Sequence, residues 1–244
     1  MTTGTDFDTS PERVIPEGPV PRPKRWWRRP WVGPLAVLVA VFLAYSLPPY
    51  LAMDPARSRV PAPAGFAAHY WFLVAHVLFG TVAIVGVLLQ IWPWFRRTHP
   101  VGHRRVGRAY VFAGAIPSAL MAGTIGAMSP FGPVTATLDV IAALLWFGCT
   151  VAGWKAARER RFGEHRKWMI RSFALAMNTL LTRIYGPFVF MALGPLKDTR
   201  FGGNDQWFTD VSSATSAALS FTTLLLVSQW WLERRPARRR ALAR

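Results

Sequence analysis

Apolar residues along this chain fall into blocks of about 20, separated by short stretches rich in arginine or proline. A soluble core does not require uncharged runs of this length, whereas the hydrocarbon layer of a bilayer does. The pattern therefore predicts an all-α fold, an integral membrane bundle of about six transmembrane helices. The predicted spans cover residues 31–52, 68–94, 108–128, 133–154, 168–193 and 211–232.

The lysines and arginines of the connecting segments predict the orientation of the bundle. When the spans are followed alternately, 23 of these residues fall on one face and four on the other. Cytoplasmic loops carry the excess of positive charge in membrane proteins. Both termini are therefore expected on the cytoplasmic side, and the arginine- and alanine-rich composition favours a bacterial inner (plasma) membrane.

The segments outside the spans are polar and basic. Residues 1–30 are rich in proline and are predicted to form a disordered cytoplasmic tail. Residues 31–232 form the predicted six-helix domain, and residues 233–244 a second basic tail. The formal net charge of +17 is explained by topology and by contact with anionic lipids at the cytoplasmic face. No nucleic-acid role is expected, since no base-stacking aromatic module alternates with the arginines.

Three ionisable residues lie well inside the predicted spans: His76, Asp139 and Arg183. Counted from the outer ends of their helices, all three fall in the outer half of the membrane, within roughly 6 Å of each other in depth. An aspartate or arginine in mid-helix costs about 2.5–3.5 kcal/mol on the insertion scale. Asp139 is therefore the expected counter-charge of Arg183.

The polar and small residues of the neighbouring spans favour a shared site. Ser216 and Ser220 follow one face of span six, and lipid disfavours such faces, so they are expected to point inward. We therefore predict a polar pocket in the outer half, built on these serines and the three ionisable residues. The alternative is a structural pair of Arg183 and Asp139, with His76 hydrogen-bonded into the helix packing.

Span three carries small residues at four-residue spacing. They are Gly114, Ser118, Ala122 and Gly126. Such a row lets helix backbones approach closely, and it predicts packing inside the bundle.

The cytoplasmic face carries candidate ligands for a cofactor. His103 precedes span three and His165 precedes span five. Two histidines from different helices can bind a b-type haem through neutral imidazoles, so one haem near this face is possible. The alternative is two interfacial loop histidines near lipid phosphate. The four-residue spacing of His99 and His103 is a weak metal signal because Pro100 lies between them, and Cys149 is the single cysteine, which excludes a cysteine zinc cluster.

Three local patterns stand out within residues 70–190. They are His76-x-x-x-Gly80 leading to Gln90, His103-Arg104-x-x-Gly107-Arg108-x-Tyr110, and His165-x-x-Trp168-Met169-x-Arg171-Ser172 followed by Arg183. Together they resemble a bacterial family of predicted membrane proteins, domain of unknown function 2306. The resemblance implies a multi-pass membrane fold and no established activity, so no catalytic residues are carried over from it. It draws attention to the motif at the cytoplasmic face, which includes Arg104, Arg108, Trp168 and Arg171.

Three functions compete on this reading. The first is binding or transport, or a role as a membrane-complex subunit, through the outer polar pocket. The second is a redox protein with one haem b near the cytoplasmic face. The third is a membrane enzyme acting on lipid or quinone, and it is the least favoured because the chain has no nucleophile elbow, HExxH motif or acidic metal cluster.

Overall fold

The computed structural model describes residues 31–241, with side chains as far as Arg234, and this range contains helices and no β-strand. The predicted tail over residues 1–30 lies outside the described residues. The helices are α1 (Val32–Ser46), α2 (Pro48–Leu51), α3 (His69–Ile91), α4 (Pro93–Thr98), α5 (Pro100–Tyr110), α6 (Ile116–Ala127), α7 (Gly132–Arg158), α8 (Phe162–Ala176), α9 (Asn178–Leu193), α10 (Lys197–Arg200) and α11 (Asp205–Ala241).

Helix length and composition confirm the all-α membrane fold. Five helical stretches of the described chain are long and apolar enough to cross a bilayer. The first predicted span is represented by α1, which has 15 residues and is shorter than the roughly 20 residues that a span needs. It ends at Ser46, just before Pro48 and Pro49 begin the short helix α2. The five long stretches are His69–Ile91, Pro100–Ala127, Gly132–Arg158, Asn178–Arg200 and Asp205–Arg234.

The helices pack mainly on their neighbours along the chain. Helix α3 packs on α5 and α6, α6 on α7, and α7 on both α8 and α11, whereas α9 packs on α11. We call the end of the bundle with the turn between α6 and α7 the outer end. The end with α4 and the turn between α7 and α8 is called the inner end. Helices α7 and α11 both run from the outer end to the inner end.

Small residues bring α3 and the third span together, as their spacing predicts. A Cβ atom added at Gly114 would lie 2.9 Å from the backbone nitrogen of Ala83, so a larger residue is excluded there. One π-helical turn, Val111–Ala115, joins α5 to α6. Pro117 follows it in the first turn of α6. Because proline lacks an N–H group and its ring crowds the carbonyl four residues earlier, a wider turn at this position relieves the clash.

Span five departs from the prediction of one continuous helix over residues 168–193. It divides at Met177 into α8 and α9. Next to the break, side chains reach the carbonyl oxygen of Asn178 at the start of α9, with Thr182 donating at 3.0 Å and Ser220 donating from α11 at 2.9 Å. The bond from Ser220 ties the start of α9 to α11.

Candidate functional site

Asp139 lies on the outer half of α7, seven residues after the helix begins at Gly132. At about 1.5 Å per residue this is roughly 10 Å inward from the outer end of the helix. Its side chain is half-buried, and a Cβ atom added at Gly126 of α6 would lie 2.8 Å from its own Cβ atom. Among the residues whose side chains are described, none forms an ion pair or hydrogen bond with its carboxylate.

The predicted ion pair between Arg183 and Asp139 is not formed in the described part of the chain, which corrects that expectation. Arg183 lies on α9 and is exposed. The physical reason is the packing order of the helices. Asp139 packs on α6, while α9 lies against α11 and begins after the break at Met177.

His76 is held by α6 at a different depth. Its Nδ1 atom lies 3.0 Å from both the carbonyl oxygen and the hydroxyl group of Ser118. The same hydroxyl donates to the His76 carbonyl oxygen at 3.1 Å. Ser118 and Gly126 are eight residues apart on α6, so His76 lies about 12 Å deeper than the contact between Gly126 and Asp139. The expectation that the three ionisable residues share one level is therefore wrong.

The two predicted serines of α11 have separate partners. Ser216 donates to the carbonyl oxygen of Ser212 at 2.7 Å, which is a bond within its own helix. Ser220 contacts the side-chain oxygen of Asn178 at 2.8 Å, in addition to its carbonyl oxygen. Ser220 thus belongs to the helix break rather than to a pocket with Asp139.

The relative positions of α7 and α11 show which groups share the level of Asp139. A Cβ atom at Gly132 would lie 2.9 Å from the Asp210 carboxylate carbon, so the start of α7 is level with Asp210. Because both helices run inward with the same rise, Asp139 is level with residues 216–217 of α11. Ser216, which is 2% exposed, therefore lies at the level of Asp139.

An open cleft of about 610 Å³ lies above this level at the outer end. Asp210 is the single ionisable residue among those that line it. Gln206 donates to the Asp210 carboxylate at 2.7 Å. The floor includes Ala136 and Thr137 of α7, which lie within one turn of Asp139. The cleft thus ends within one helical turn of Asp139, which is not itself one of its lining residues.

The buried hydroxyl groups that lack a partner among the described residues lie toward the outer end of the bundle. Four buried side-chain polar atoms have no hydrogen-bond partner among the described residues. Three of them, on Tyr70, Thr135 and Ser212, belong to the outer parts of α3, α7 and α11. Because buried hydroxyl groups are ordinarily hydrogen-bonded, an unpartnered group indicates a position where water or a ligand supplies the bond.

The inner half contains a polar cluster in which every hydroxyl group has a hydrogen-bond partner. It is formed by Trp146, Tyr110, Ser172 and Thr150. Thr150 donates to the Trp146 carbonyl oxygen at 2.7 Å, so with one proton it must accept from Ser172 at 2.7 Å. Ser172 then accepts from Tyr110 at 2.6 Å. Tyr110 in turn accepts from the Trp146 indole nitrogen at 3.3 Å. The circuit is closed, and we call it the inner hydroxyl circuit.

This circuit joins two of the sequence patterns. Tyr110 ends the pattern that begins at His103, and Ser172 ends the one that begins at His165. Both residues are 0% exposed. Because every donor in the circuit has an acceptor, the cluster is suited to locking α5, α7 and α8 together and offers no free group for chemistry.

The remaining motif residues lie at the inner end. Arg104 and Arg108 are exposed on α5. Arg171 lies over the Trp168 ring, 5.1 Å from its centroid, and donates to Gln229 of α11 at 3.2 Å. His165 bonds through Nδ1 to the Gly153 carbonyl oxygen at 2.8 Å, and it is an electrostatic neighbour of His103.

The sequence analysis did not identify the uncharged residues of the inner hydroxyl circuit, of the helix break at Met177 or of the unpartnered hydroxyl groups in the outer half. Hydroxyl residues in spans give a weak signal because many satisfy themselves on their own helix. Thr137, for example, donates to the Pro133 carbonyl oxygen at 2.9 Å. The number and spacing of hydroxyl residues in a span do not show which of them bond within their own helix. They also do not show which bond to another helix or lack a partner. The missed residues are Tyr70, Thr135, Trp146, Thr150, Asn178 and Ser212.

Comparison with known proteins shows the family. A family model described as "Predicted membrane protein (DUF2306)" matches residues 73–227, which is more than half of the chain. The chain therefore belongs to this family of predicted membrane proteins, as the three sequence patterns indicated. No curated protein and no solved structure matches.

Proposed function

We propose that this protein binds or transports a small monovalent cation, the proton included, at Asp139 in the outer half of the membrane. The observation that carries the proposal is a half-buried carboxylate within an apolar helix that has no partner among the described side chains. An ionisable residue inside a membrane span is costly and marks a ligand or ion pathway by default.

The sign of the ligand charge follows from the surroundings. Among the residues that line the outer cleft, the ionisable group is a second carboxylate, Asp210. The unpartnered hydroxyl oxygens of Thr135 and Ser212 lie on the same two helices. Carboxylate, hydroxyl and carbonyl oxygens are the ligands of hard cations. A cation entering the cleft would therefore provide the positive charge near Asp139 that Arg183 does not supply.

The proposal also assigns the side of the membrane on which the outer cleft opens. The cleft opens away from the end of the bundle that carries the arginine-rich connections. Since such connections are cytoplasmic in bacterial inner membranes, both termini would lie in the cytoplasm and the cleft would face outward. This arrangement makes the site reachable from outside the cell.

The proposal is tested by thermal unfolding of the purified protein at constant ionic strength. Sodium, potassium, ammonium or guanidinium chloride replaces choline chloride stepwise, and the midpoint temperature is recorded. At least one cation is expected to give a saturable rise in the wild type and none in Asp139→Asn. Asp198→Asn, which changes an exposed carboxylate outside this site, serves as the matched control and should behave as the wild type.

The proton is tested separately with an entrapped pH-sensitive dye in proteoliposomes. An external acid pulse should acidify the lumen faster with the wild type than with Asp139→Asn. Equal behaviour of the two proteins in both experiments would refute a cation or proton site at Asp139.

A further inference from the structure

One helix face in the middle of the membrane carries a charge that the described chain does not cover. Arg183 on α9 is exposed and forms no ion pair or hydrogen bond with a described residue. An arginine within a span is costly beside lipid, so it ordinarily faces the interior of a bundle or pairs with another polar group. The exposure of Arg183 therefore marks a surface that another molecule covers.

The depth of Arg183 excludes lipid headgroups as its partner. Helix α9 ends at Leu193, and the helix that follows it carries Lys197, which pairs with Asp205 at the outer start of α11. Arg183 thus lies ten residues, or about 15 Å, from the outer end of α9. An arginine stem is much shorter than this distance. Side chains of a helix also lean toward its N terminus, which turns the guanidinium group away from the outer headgroups and toward the break at Met177.

Three further residues share the exposed stripe of α9 with Arg183. Thr179, Gly186 and Phe190 lie four residues before it, three after it and seven after it, which places all four on one side of the helix. We call this stripe the α9 face. A Cβ atom added at Gly186 would meet nothing within 4 Å. A glycine in such a stripe lets the backbone of a second helix approach closely.

A proline next to this face adds an acceptor. Pro187 lies inside α9 and has no N–H group, so it cannot donate to the carbonyl oxygen of Arg183 four residues earlier. A backbone group that loses its bond at membrane depth is costly unless a neighbouring helix supplies one. The guanidinium group and this carbonyl oxygen therefore both favour a polar partner at the same level.

The other sides of α9 are already covered. Leu180 belongs to a buried cluster with Val39 of α1 and Ile84 of α3. The Tyr185 hydroxyl bonds to the Thr223 hydroxyl of α11 at 3.1 Å. Even so, the stretch that contains α9 has the smallest buried share of the five long apolar stretches in the described chain. The α9 face is the side that remains open.

We infer that the α9 face binds a transmembrane helix of another protein, and that an aspartate or glutamate in the middle of that helix pairs with Arg183. A carboxylate is the anionic group that a protein can place at this depth, and its hydrogen bonds with a guanidinium group are charge-assisted. Little water competes for them there, so the attraction is stronger than at the membrane surface. The protein is then one subunit of a membrane complex.

A second copy of this chain fits the α9 face less well. A two-fold axis through this face would bring two Arg183 guanidinium groups together, and like charges at membrane depth repel each other. Asp139 is the one carboxylate deep inside the described spans, and it packs against Gly126 of α6 rather than beside the α9 face. The acidic residue must therefore come from a different protein.

Two synthetic transmembrane peptides test the inference. Both are dansyl-labelled helices of about 20 leucine and alanine residues, one with a central glutamate and the other with a central glutamine. They are titrated into liposomes that contain the full-length protein, and energy transfer from its tryptophans to the dansyl group is recorded. With the wild type, the glutamate peptide should half-saturate at a mole fraction about tenfold lower than the glutamine peptide, because it adds charge-assisted hydrogen bonds. With Arg183→Gln, both peptides should titrate alike.

Matched variants separate charge, shape and the proposed cation site. Arg183→Lys keeps the positive charge and should retain part of the preference for glutamate. Gly186→Leu should weaken the binding of both peptides, because it blocks close approach of the helices. It fills space that is open in the protein alone, so the fold should be unchanged. Asp139→Asn should bind both peptides as the wild type does, whether or not a cation binds at that carboxylate.

Three results would overturn the inference. The first is equal titration of the two peptides with the wild type. The second is a preference for the glutamate peptide that persists in Arg183→Gln. The third is a dimer, detected by chemical crosslinking in liposomes without peptide, that disappears in Gly186→Leu, because it would assign the α9 face to a second copy of the chain.

Discussion

The inner and outer halves of this bundle use the same residue types in opposite ways. In the inner half, Thr150 and Ser172 are completely buried and belong to a circuit in which every hydroxyl has a partner. In the outer half, the hydroxyls of Thr135 and Ser212 are also buried and have none among the described residues. A satisfied polar cluster stabilises and orients helices, whereas an unsatisfied one costs free energy and persists where a ligand or water binds.

The comparison predicts its largest effect at Tyr110. Tyr110→Ala should lower the free energy of unfolding by about 3–5 kcal/mol, since it leaves a large cavity and removes two hydrogen bonds of the inner hydroxyl circuit. Denaturant unfolding in mixed micelles, followed by circular dichroism, measures the change. Leu144→Ala is the control, because that side chain is 65% exposed and its loss should change little. A small effect at Tyr110 would mean that the circuit does not hold the helices together.

The same substitution made in each half gives the sharpest comparison. Thr150→Val should destabilise the protein by about 1–3 kcal/mol, because it leaves the Ser172 hydroxyl without its acceptor. Thr135→Val removes a hydroxyl that has no partner among the described residues and should be neutral or stabilising by up to about 1 kcal/mol. Both values come from the same unfolding titration. Equal losses would contradict the division into satisfied and unsatisfied halves.

Asp139→Asn tests whether the unpaired carboxylate of the outer half lowers the stability of the protein while it provides the proposed cation site. The free energy of unfolding of the variant should equal that of the wild type or exceed it by about 1 kcal/mol, because an unpaired carboxylate at membrane depth is replaced by a neutral amide. The stabilisation by cations should disappear in the same variant. A destabilisation of several kcal/mol would instead indicate a structural partner for this carboxylate.

The smallest effect is expected for Arg183. Arg183→Gln should change the free energy of unfolding by less than about 0.5 kcal/mol, since the residue is exposed and pairs with no described acidic residue. A double-mutant cycle with Asp139→Asn should give a coupling energy near zero. A coupling energy of about 1 kcal/mol or more would instead indicate that Arg183 and Asp139 form the ion pair that the sequence predicts.

Much of the fold follows from patterns that span many residues. The apolar blocks predict the helices because a bilayer requires long uncharged stretches. Four of the six predicted blocks correspond to helical stretches of sufficient length, whereas the stretch in span five begins only at Asn178 and extends to Arg200, and α1 is short. The small-residue row of span three predicted close packing, which Gly114 and Ala83 show. These predictions succeed because each depends on local composition and on a solvent that is the same for every helix.

The candidate site was predicted less well because it depends on rotation and depth. A difference of one turn in a helix moves a side chain by about 5.4 Å, and span ends are uncertain by a similar amount. Met177 interrupts span five, and this break could not be anticipated from hydropathy because Asn178 is stabilised by Ser220 of another helix. Arg183 consequently does not reach Asp139.

The sequence by itself determined the environment of this protein, the number and order of most of its helices, and the residues that are costly in a membrane. Those properties depend on the transfer free energy of each segment, which is a sum over neighbouring residues. Only the tertiary structure decided which polar groups meet. Tyr110 and Ser172 are 62 positions apart along the chain and form one hydrogen bond, whereas Asp139 and Arg183 attract each other and stay separate. The rotation and depth of packed helices, which set these distances, are properties of the whole bundle.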